Sequence, residues 1–304
     1  MPEQALASAF ARAALAGNPS DGYGGATLAV EIRDFRAEVE VEAATAARAS
    51  VSPDSELVGA TVRRFAREHA PAATGTRVRW RTTIPRAVGL GGSSAIVVAT
   101  VRALAELYGV HLEDTALAEL ALAVEVEELG ITAGLQDRVA QAYGGLTFMD
   151  FSTGEYQRLD PRMLPPLFLA WREEAGGHSG EVHEALRARY ARGEPAVGAA
   201  MAALAGLARA ARDALLAGAG DAFAVCVDAS FDVRAALMPI EPLHAEMIDR
   251  ARSLGARANN AGSGGAIVGV CEDDEHRATV LDALAELGCG VIVPGVLPAT
   301  AARR

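Results

Sequence analysis

Apolar and polar positions change period several times along this chain, and each change marks an element. Ala37–Val41 alternates apolar with acidic residues, and Thr76–Ile84 sets Val78, Trp80 and Thr82 against arginines, so both predict strands. Thr27–Ile32, Leu146–Phe151, Leu167–Trp171, Ala266–Val270 and Val291–Val293 are short apolar runs that also predict strands. Phe10–Leu15 reads as a strand or as the start of a helix. Helical spacing appears over 54–69, with Asp54 near the start and Leu57, Val58, Val62 and Phe65 on one side. A second helix is expected from Ser93 to Tyr108 with Gly109 as its stop. A third runs from an N-cap at Asp114 to Gly130, and a short one lies within Gly134–Gly145. After Pro161, Pro165 and Pro166 the pattern predicts two or three helices between Glu181 and Leu254, broken near Gly193–Pro195 and Gly218–Gly220, then a helix over Asp274–Leu287. The expectation is an α+β protein of two domains, 1–160 and 161–304.

Turn-forming residues gather at four places. They are Gly17–Gly25, Pro85–Gly92, the Gly176–Gly180 loop and Asn259–Gly265. In Pro85–Ala95 the glycines Gly89, Gly91 and Gly92 precede Ser93, Ser94 and a helix start. Unpaired N–H groups and the helix dipole there favour an anion. A serine-hydrolase elbow would need glycine where Ala95 stands.

Composition removes several classes. The 304 residues are 51% hydrophobic, yet no apolar run reaches the roughly 20 residues of a membrane helix. No basic-then-apolar leader is apparent, and three widely spaced cysteines suit reduced thiols, so a cytoplasmic protein is expected. A net charge of −11 argues against nucleic-acid or anionic-membrane partners. The sequence contains no lysine, and all 28 basic residues are arginine. That excludes a Walker ATPase, a protein kinase and Schiff-base chemistry, each of which needs a lysine.

The acidic run Glu125-Val126-Glu127-Glu128 lies where a helix ends, an unfavourable place for carboxylates. Glu125 and Glu128 each project between apolar neighbours, and a buried acid needs a cation. Helical spacing does not choose between them. Arg12, five residues before the first glycine cluster, reads by itself as a surface arginine. The six histidines show no metal-ligand spacing.

Together, three segments in order resemble the GHMP kinases. Arg12 followed by Leu15-Ala16-Gly17 and a loop to Asp21 is similar to the family's first motif. Pro85–Ala95 resembles P-x-x-x-G-L-G-S-S-A, with Gly92 where serine is usual, and Ala261–Ala266 resembles the C-terminal glycine loop. The stretches Gly17–Tyr23, Ala133–Leu146, Ser230–Arg234 and Ala261–Ala266 resemble the glucuronokinase branch. The resemblance implies a domain like domain 2 of ribosomal protein S5, followed by a ferredoxin-like domain. It implies ATP and Mg²⁺ as cofactors, a small-molecule sugar or sugar-acid partner, and transfer of phosphate to the anomeric hydroxyl of D-glucuronate. A different sugar kinase, a mevalonate-type kinase and a non-catalytic ATP- or sugar-binding regulator are the alternatives.

Roles follow by position. In galactokinase-like members the metal glutamate lies twelve residues before the catalytic aspartate, which selects Glu125 with Asp137. Ser94 becomes the hydroxyl ligand of Mg²⁺, and Asp137 and Arg12 the catalytic pair. Pro85, Gly89, Leu90, Gly91, Gly92, Ser93, Ser94 and Ala95 become the nucleotide phosphate loop. Asn18, Asp21, Gly22 and Tyr23 line the substrate with Gln136, Ser179, Gly262, Ser263 and Gly264. A uronate brings a carboxylate, which a chain without lysine meets with arginine or backbone donors. Arg234 is the candidate partner, since a guanidinium pairs bidentately with a carboxylate, although taken alone it also reads as a helix-surface arginine in a salt bridge.

Overall fold

The computed structural model describes residues 2–43, 55–176 and 179–298; side chains from 179 to 183 lie outside that description. Strand β1 (Gln4–Ala16) settles the ambiguous first segment as a strand, and its residues 9–16 are buried throughout. The two strands expected over Thr27–Ile32 and Ala37–Val41 are one, β2 (Ala26–Glu42), because nothing between them breaks the extended backbone. Helix α1 (Glu56–Glu68) starts where the Ser55 hydroxyl accepts from the Val58 N–H at 3.3 Å. Asp54, expected near that start, falls outside the described residues.

Strand β3 (Arg77–Thr82) pairs antiparallel with β2. Glu38, Glu40 and Glu42 face Arg81, Arg79 and Arg77 across the ladder, while Val39 and Val41 lie on the buried face. A one-residue slip would turn those valines outward, so burial and charge fix the same register. Helix α2 (Gly92–Tyr108) is apolar on nearly every side and buried along most of its length, and Gly109 closes it at φ 64°. Helix α3 (Asp114–Ala123) has Glu113, not Asp114, at its N-cap. It does not run on to Gly130 but passes into a π-helical turn, Val124–Glu128. Helix α4 (Gln136–Tyr143) and strands β4 (Leu146–Asp150) and β5 (Glu155–Leu159) follow, with β4 between β2 and β5.

The second sheet has the order β7-β8-β6-β9, from β6 (Leu167–Trp171), β7 (Arg257–Asn260), β8 (Ala266–Val270) and β9 (Gly290–Ile292). Among the described residues, four α-helices lie between β6 and β7, where two or three helices were expected: α5 (Ser179–Ala191), α6 (Pro195–Leu216), α7 (Gly220–Leu237) and α8 (Pro242–Ser253). The extra break falls at Met238–Glu241, ahead of Pro242, which starts α8 under a Glu241 cap. Helix α5 also takes in Ser179 and Gly180, which the loop expectation included. Helix α9 (Asp274–Glu286) covers this sheet together with α8, around Phe168, Met247, Ile248, Val280 and Leu284.

All strands of the first sheet precede residue 160 and all strands of the second follow it. The contacts divide the chain into two compact units that interleave in sequence. One holds Met1–Ala11, Arg33–Ile84 and Gly91–Tyr143; the other holds Arg12–Ile32, Pro85–Leu90 and Gly144–Arg304.

Candidate active site

The glycine-rich stretch carries a run of left-handed residues: Ala87 at φ 59°, Gly89 at 76° and Gly91 at 73°, the last capping α2. Alternation of this kind turns successive N–H groups toward one side, the geometry of an anion nest. In the unit that contains Pro85–Leu90, this segment lies against the second glycine loop, backbone to backbone. A Cβ on Gly89 would meet the Ser263 nitrogen at 2.7 Å, and one on Gly265 would meet the Val88 Cα at 2.7 Å. A Cβ on Gly262 would run into the Gly89 carbonyl oxygen. Glycine is required at these positions by close approach, which a sequence reading as simple turns does not anticipate.

Arg12 is buried in the same unit and is no surface residue. Its Nη1 donates to the carbonyls of Gly89 (2.6 Å) and Ala261 (2.8 Å), one from each glycine loop. Its backbone N–H donates to the Leu90 carbonyl at 3.1 Å. Arg234, on α7, is only 4% exposed. Its Nη1 donates to Asn18 Oδ1 and to the Gly262 carbonyl, both at 2.8 Å, and its Nη2 to the Ser263 carbonyl at 3.3 Å. Its Nε is buried without a partner. No carboxylate pairs with it among the described residues. Burial, with the neighbouring Arg12 charge second, pulls its pKa down to about 10. Arg234 is thus a buried cation held by neutral oxygens, not the helix-surface arginine of an ordinary salt bridge.

The structure also uses a residue that the sequence did not single out. His244, on α8, is buried; its Nδ1 accepts from the Gly265 N–H at 3.1 Å, and its Nε2 faces Asn260 Oδ1 at 2.8 Å. These partners define a neutral ring with the proton on Nε2, and burial pushes its pKa down to about 4. With Arg234, it holds the second glycine loop from the helix side. Spacing rules seek metal ligands among histidines and overlook one whose partners are a backbone N–H and an amide.

The other unit contains Ser93, Ser94, Glu125 and Asp137. Glu125 is completely buried at the π-helical turn, and Glu127 and Glu128 pair with Arg64 and Arg67. The wider turn resolves what a regular helical spacing left open. Glu125 Oε1 accepts from the Ser93 hydroxyl at 2.9 Å, and Oε2 accepts from Arg138 Nε at 2.6 Å and from Arg138 Nη2. Ser94, expected to face Glu125, instead turns back inside the first turn and donates to the Gly91 carbonyl at 3.0 Å. One residue earlier on the helix, Ser93 points to the glutamate.

Asp137 opens α4, with Gln136 Nε2 at 3.5 Å and Arg138 Nη1 at 3.8 Å from its carboxylate. Gln141 Nε2 ties α4 to the Phe10 and Gly91 carbonyls, at 3.0 and 2.8 Å. No group of three or more His, Cys, Asp or Glu able to hold a metal occurs among the described residues. Both Glu125 oxygens are engaged, so these side chains as arranged do not fit a protein-held metal ion. Tyr23 packs on Tyr190, ring centroids 4.6 Å apart, and burial raises its pKa. The side chain of Ser179 lies outside the described residues.

The fold and the two glycine loops define a class. Residues 56–145 match the GHMP kinases N terminal domain. Glucuronokinase 1 of Arabidopsis thaliana is 33% identical over 314 residues, covering 90% of this chain and 86% of that protein. Probable glucuronokinase 2 of the same plant is 33% identical with the same coverage. Among solved structures, Lactococcus lactis galactokinase complexed with galactose has a TM-score of 0.76 at 16% identity, covering 97% of this chain and 94% of its own. Streptococcus pneumoniae phosphomevalonate kinase has a TM-score of 0.79 at 18% identity, covering 97% and 100%. At such identities the likeness shows the shared two-domain α+β fold alone.

The chain belongs to the GHMP kinase family. It is a kinase, and the relatives that it resembles over most of its length are glucuronokinases.

Proposed function

We propose that this chain is a sugar kinase that phosphorylates the anomeric hydroxyl of a sugar acid, converting D-glucuronate to glucuronate 1-phosphate with ATP, which enters with Mg²⁺. The observation that carries the substrate class is Arg234: a buried guanidinium with an unpaired Nε and no acidic partner, next to a second cation, Arg12. Such a group lacks one thing, an anion, and a uronate carboxylate supplies it bidentately. Glucuronokinase 1 and Probable glucuronokinase 2 add support through their identity to this chain.

In this reading Pro85–Ala95 holds the nucleotide phosphates, helped by the α2 N-terminus. The C1 hydroxyl gives its proton to Asp137. Its oxygen bonds to the γ-phosphorus as the bond to the departing ADP oxygen breaks. Arg12 offsets charge on the transferring phosphoryl group. Asn18, Asp21, Gly22, Tyr23, Gln136, Ser179 and Gly262–Gly264 contact the sugar, and Asn18 is supported by its bond to Arg234. The domains are taken as 1–160 and 161–304, supported by the division of strands at residue 160. No helix among the described residues is long and apolar enough to cross a membrane, and the free cysteines suit a cytoplasmic enzyme.

The test is an ADP-release assay across glucuronate, galacturonate, glucose, galactose, a heptose and mevalonate. Glucuronate is expected to give the highest kcat/KM. Asp137→Asn is expected to lower kcat by about 100-fold or more with nucleotide affinity retained; near-normal turnover would refute the base assignment. Turnover confined to neutral sugars would refute the sugar-acid reading.

A further inference from the structure

In the GHMP kinases that the chain resembles, a glutamate at the position of Glu125 binds Mg²⁺. The geometry here points elsewhere. We propose that Arg138 is the resident cation of Glu125, and that the pair is a positioning device for Asp137 and not a half-built metal site. The proposal rests on the reading of Asp137 as the base.

Charge and geometry both support it. Glu125 and Arg138 are 0% and 5% exposed, so neither charge is compensated by water. The guanidinium is used at all three nitrogens: Nε and Nη2 on Glu125 Oε2, and Nη1 on the Gly134 carbonyl at 2.8 Å. The remaining carboxylate oxygen accepts from Ser93. A metal ion entering here would have to displace Arg138 and leave a buried guanidinium without its counter-charge, a strongly unfavourable exchange. Among the described residues, no three His, Cys, Asp or Glu side chains gather there to replace the guanidinium with a metal.

The same contacts explain what the pair does. Nη1 grips the Gly134 carbonyl, just ahead of α4, and stands 3.8 Å from the Asp137 carboxylate, so the guanidinium fixes the turn that presents Asp137. On the other side, the Ile131 N–H donates to the Glu125 carbonyl at 2.8 Å, closing the loop that leaves the π-helical turn. Glu125, Arg138 and Gly134 thus brace one loop, and Asp137 sits at its end. Two arginines and two glutamates on the outer side of the turn, Arg64, Arg67, Glu127 and Glu128, pair in partial contact with solvent and have no part in this brace.

The experiment is a double-variant cycle on the full chain: Glu125→Gln, Arg138→Gln, and the two combined. Thermal melting in metal-free buffer comes first and requires neither nucleotide nor sugar. Each single variant is expected to lower Tm by roughly 5 °C or more, and the combined variant by clearly less than the sum, because it buries no unpaired charge. Mg²⁺ titrations of ADP binding come second. The half-saturating Mg²⁺ concentration is expected to move less than about threefold in Glu125→Gln and in the combined variant.

Kinetics come third: kcat is expected to fall at least tenfold with sugar KM within about threefold of wild type, as displacement of a base requires. Additive Tm losses, or a Mg²⁺ requirement raised beyond threefold in Glu125→Gln, would overturn the proposal. If either single variant fails to fold, the combined variant carries the Mg²⁺ comparison. Absence of sugar phosphorylation by the wild type would refute the proposed function and leave the melting and Mg²⁺ results to decide this one.

Discussion

Two buried arginines in this protein show opposite solutions to one problem. Arg138 donates from both Nε and Nη2 to one oxygen of the Glu125 carboxylate, and its charge is cancelled where it stands. Arg234 has three neutral oxygens and an idle Nε, with Arg12 as a like-charged neighbour. A guanidinium removed from water is tolerated when hydrogen-bonded and paired, and costly when only hydrogen-bonded. The first arrangement is complete in the protein alone. The second leaves the charge uncancelled by any acid among the described residues, which is why the proposed function gives Arg234 to the substrate carboxylate and the proposed brace gives Arg138 to the scaffold.

That contrast can be broken in order of size. Arg138→Gln strands the buried Glu125 carboxylate, and a loss of about 3–5 kcal/mol of stability is expected, read by denaturant unfolding. A loss below about 1 kcal/mol would mean that the pair is not buried as described. Acid comes next, through His244. Its pKa is about 4 in the fold against an ordinary value of 6.5, so the unfolded chain takes up the proton first as pH falls. Its contribution is complete above about pH 6.5, is lost between there and pH 4, and is flat below. It amounts to about 3 kcal/mol at most. His244→Gln is expected to flatten that part of the stability–pH curve; an unchanged slope would contradict the neutral buried ring.

Arg234→Met is the direct counterpart of Arg138→Gln. It removes a charge that has no acidic partner, so only hydrogen bonds to Asn18, Gly262 and Ser263 are lost, and about 1–2 kcal/mol of stability is expected to go. Its main effect is expected in kinetics. Phosphorylation of glucuronate should lose roughly 10- to 100-fold in kcat/KM while a neutral sugar loses little; equal losses on both would sink the carboxylate role. The smallest effect is expected from Gly92→Ser. A Cβ there meets only Ile84, at 3.6 Å, so the serine usual in the family fits, with Tm within about 2 °C of wild type and ATP KM within about threefold.

Much of this architecture was legible along the chain. The alternation at Ala37–Val41 and Thr76–Ile84 gave strands whose charged faces then paired Glu38, Glu40 and Glu42 with Arg81, Arg79 and Arg77. Gly109 marked the end of α2, and Leu167–Trp171 and Ala266–Val270 are strands with the expected bounds. The misreadings differ in cause. The continuity of β2 and the π-helical turn after α3 leave no mark in the local periodicity, whereas the break at Met238–Glu241 has a local signal in Pro242 and its Glu241 cap.

By itself the sequence determined the chemistry at the chain's disposal: arginine as its basic side chain, glycine-rich turns ahead of a helix and of a strand, and three motifs in the order of one kinase family. Residue type and order are enough for that, because an anion nest and a helix start are local features. Tertiary structure alone decided which charges meet. It buried Glu125 against Arg138 and left Glu128 to Arg64 and Arg67, turned Ser93 and not Ser94 to that glutamate, and buried Arg12, Arg138 and Arg234 in different company. Those choices depend on distances between residues far apart in the chain, and on water being excluded between them, which no periodicity records.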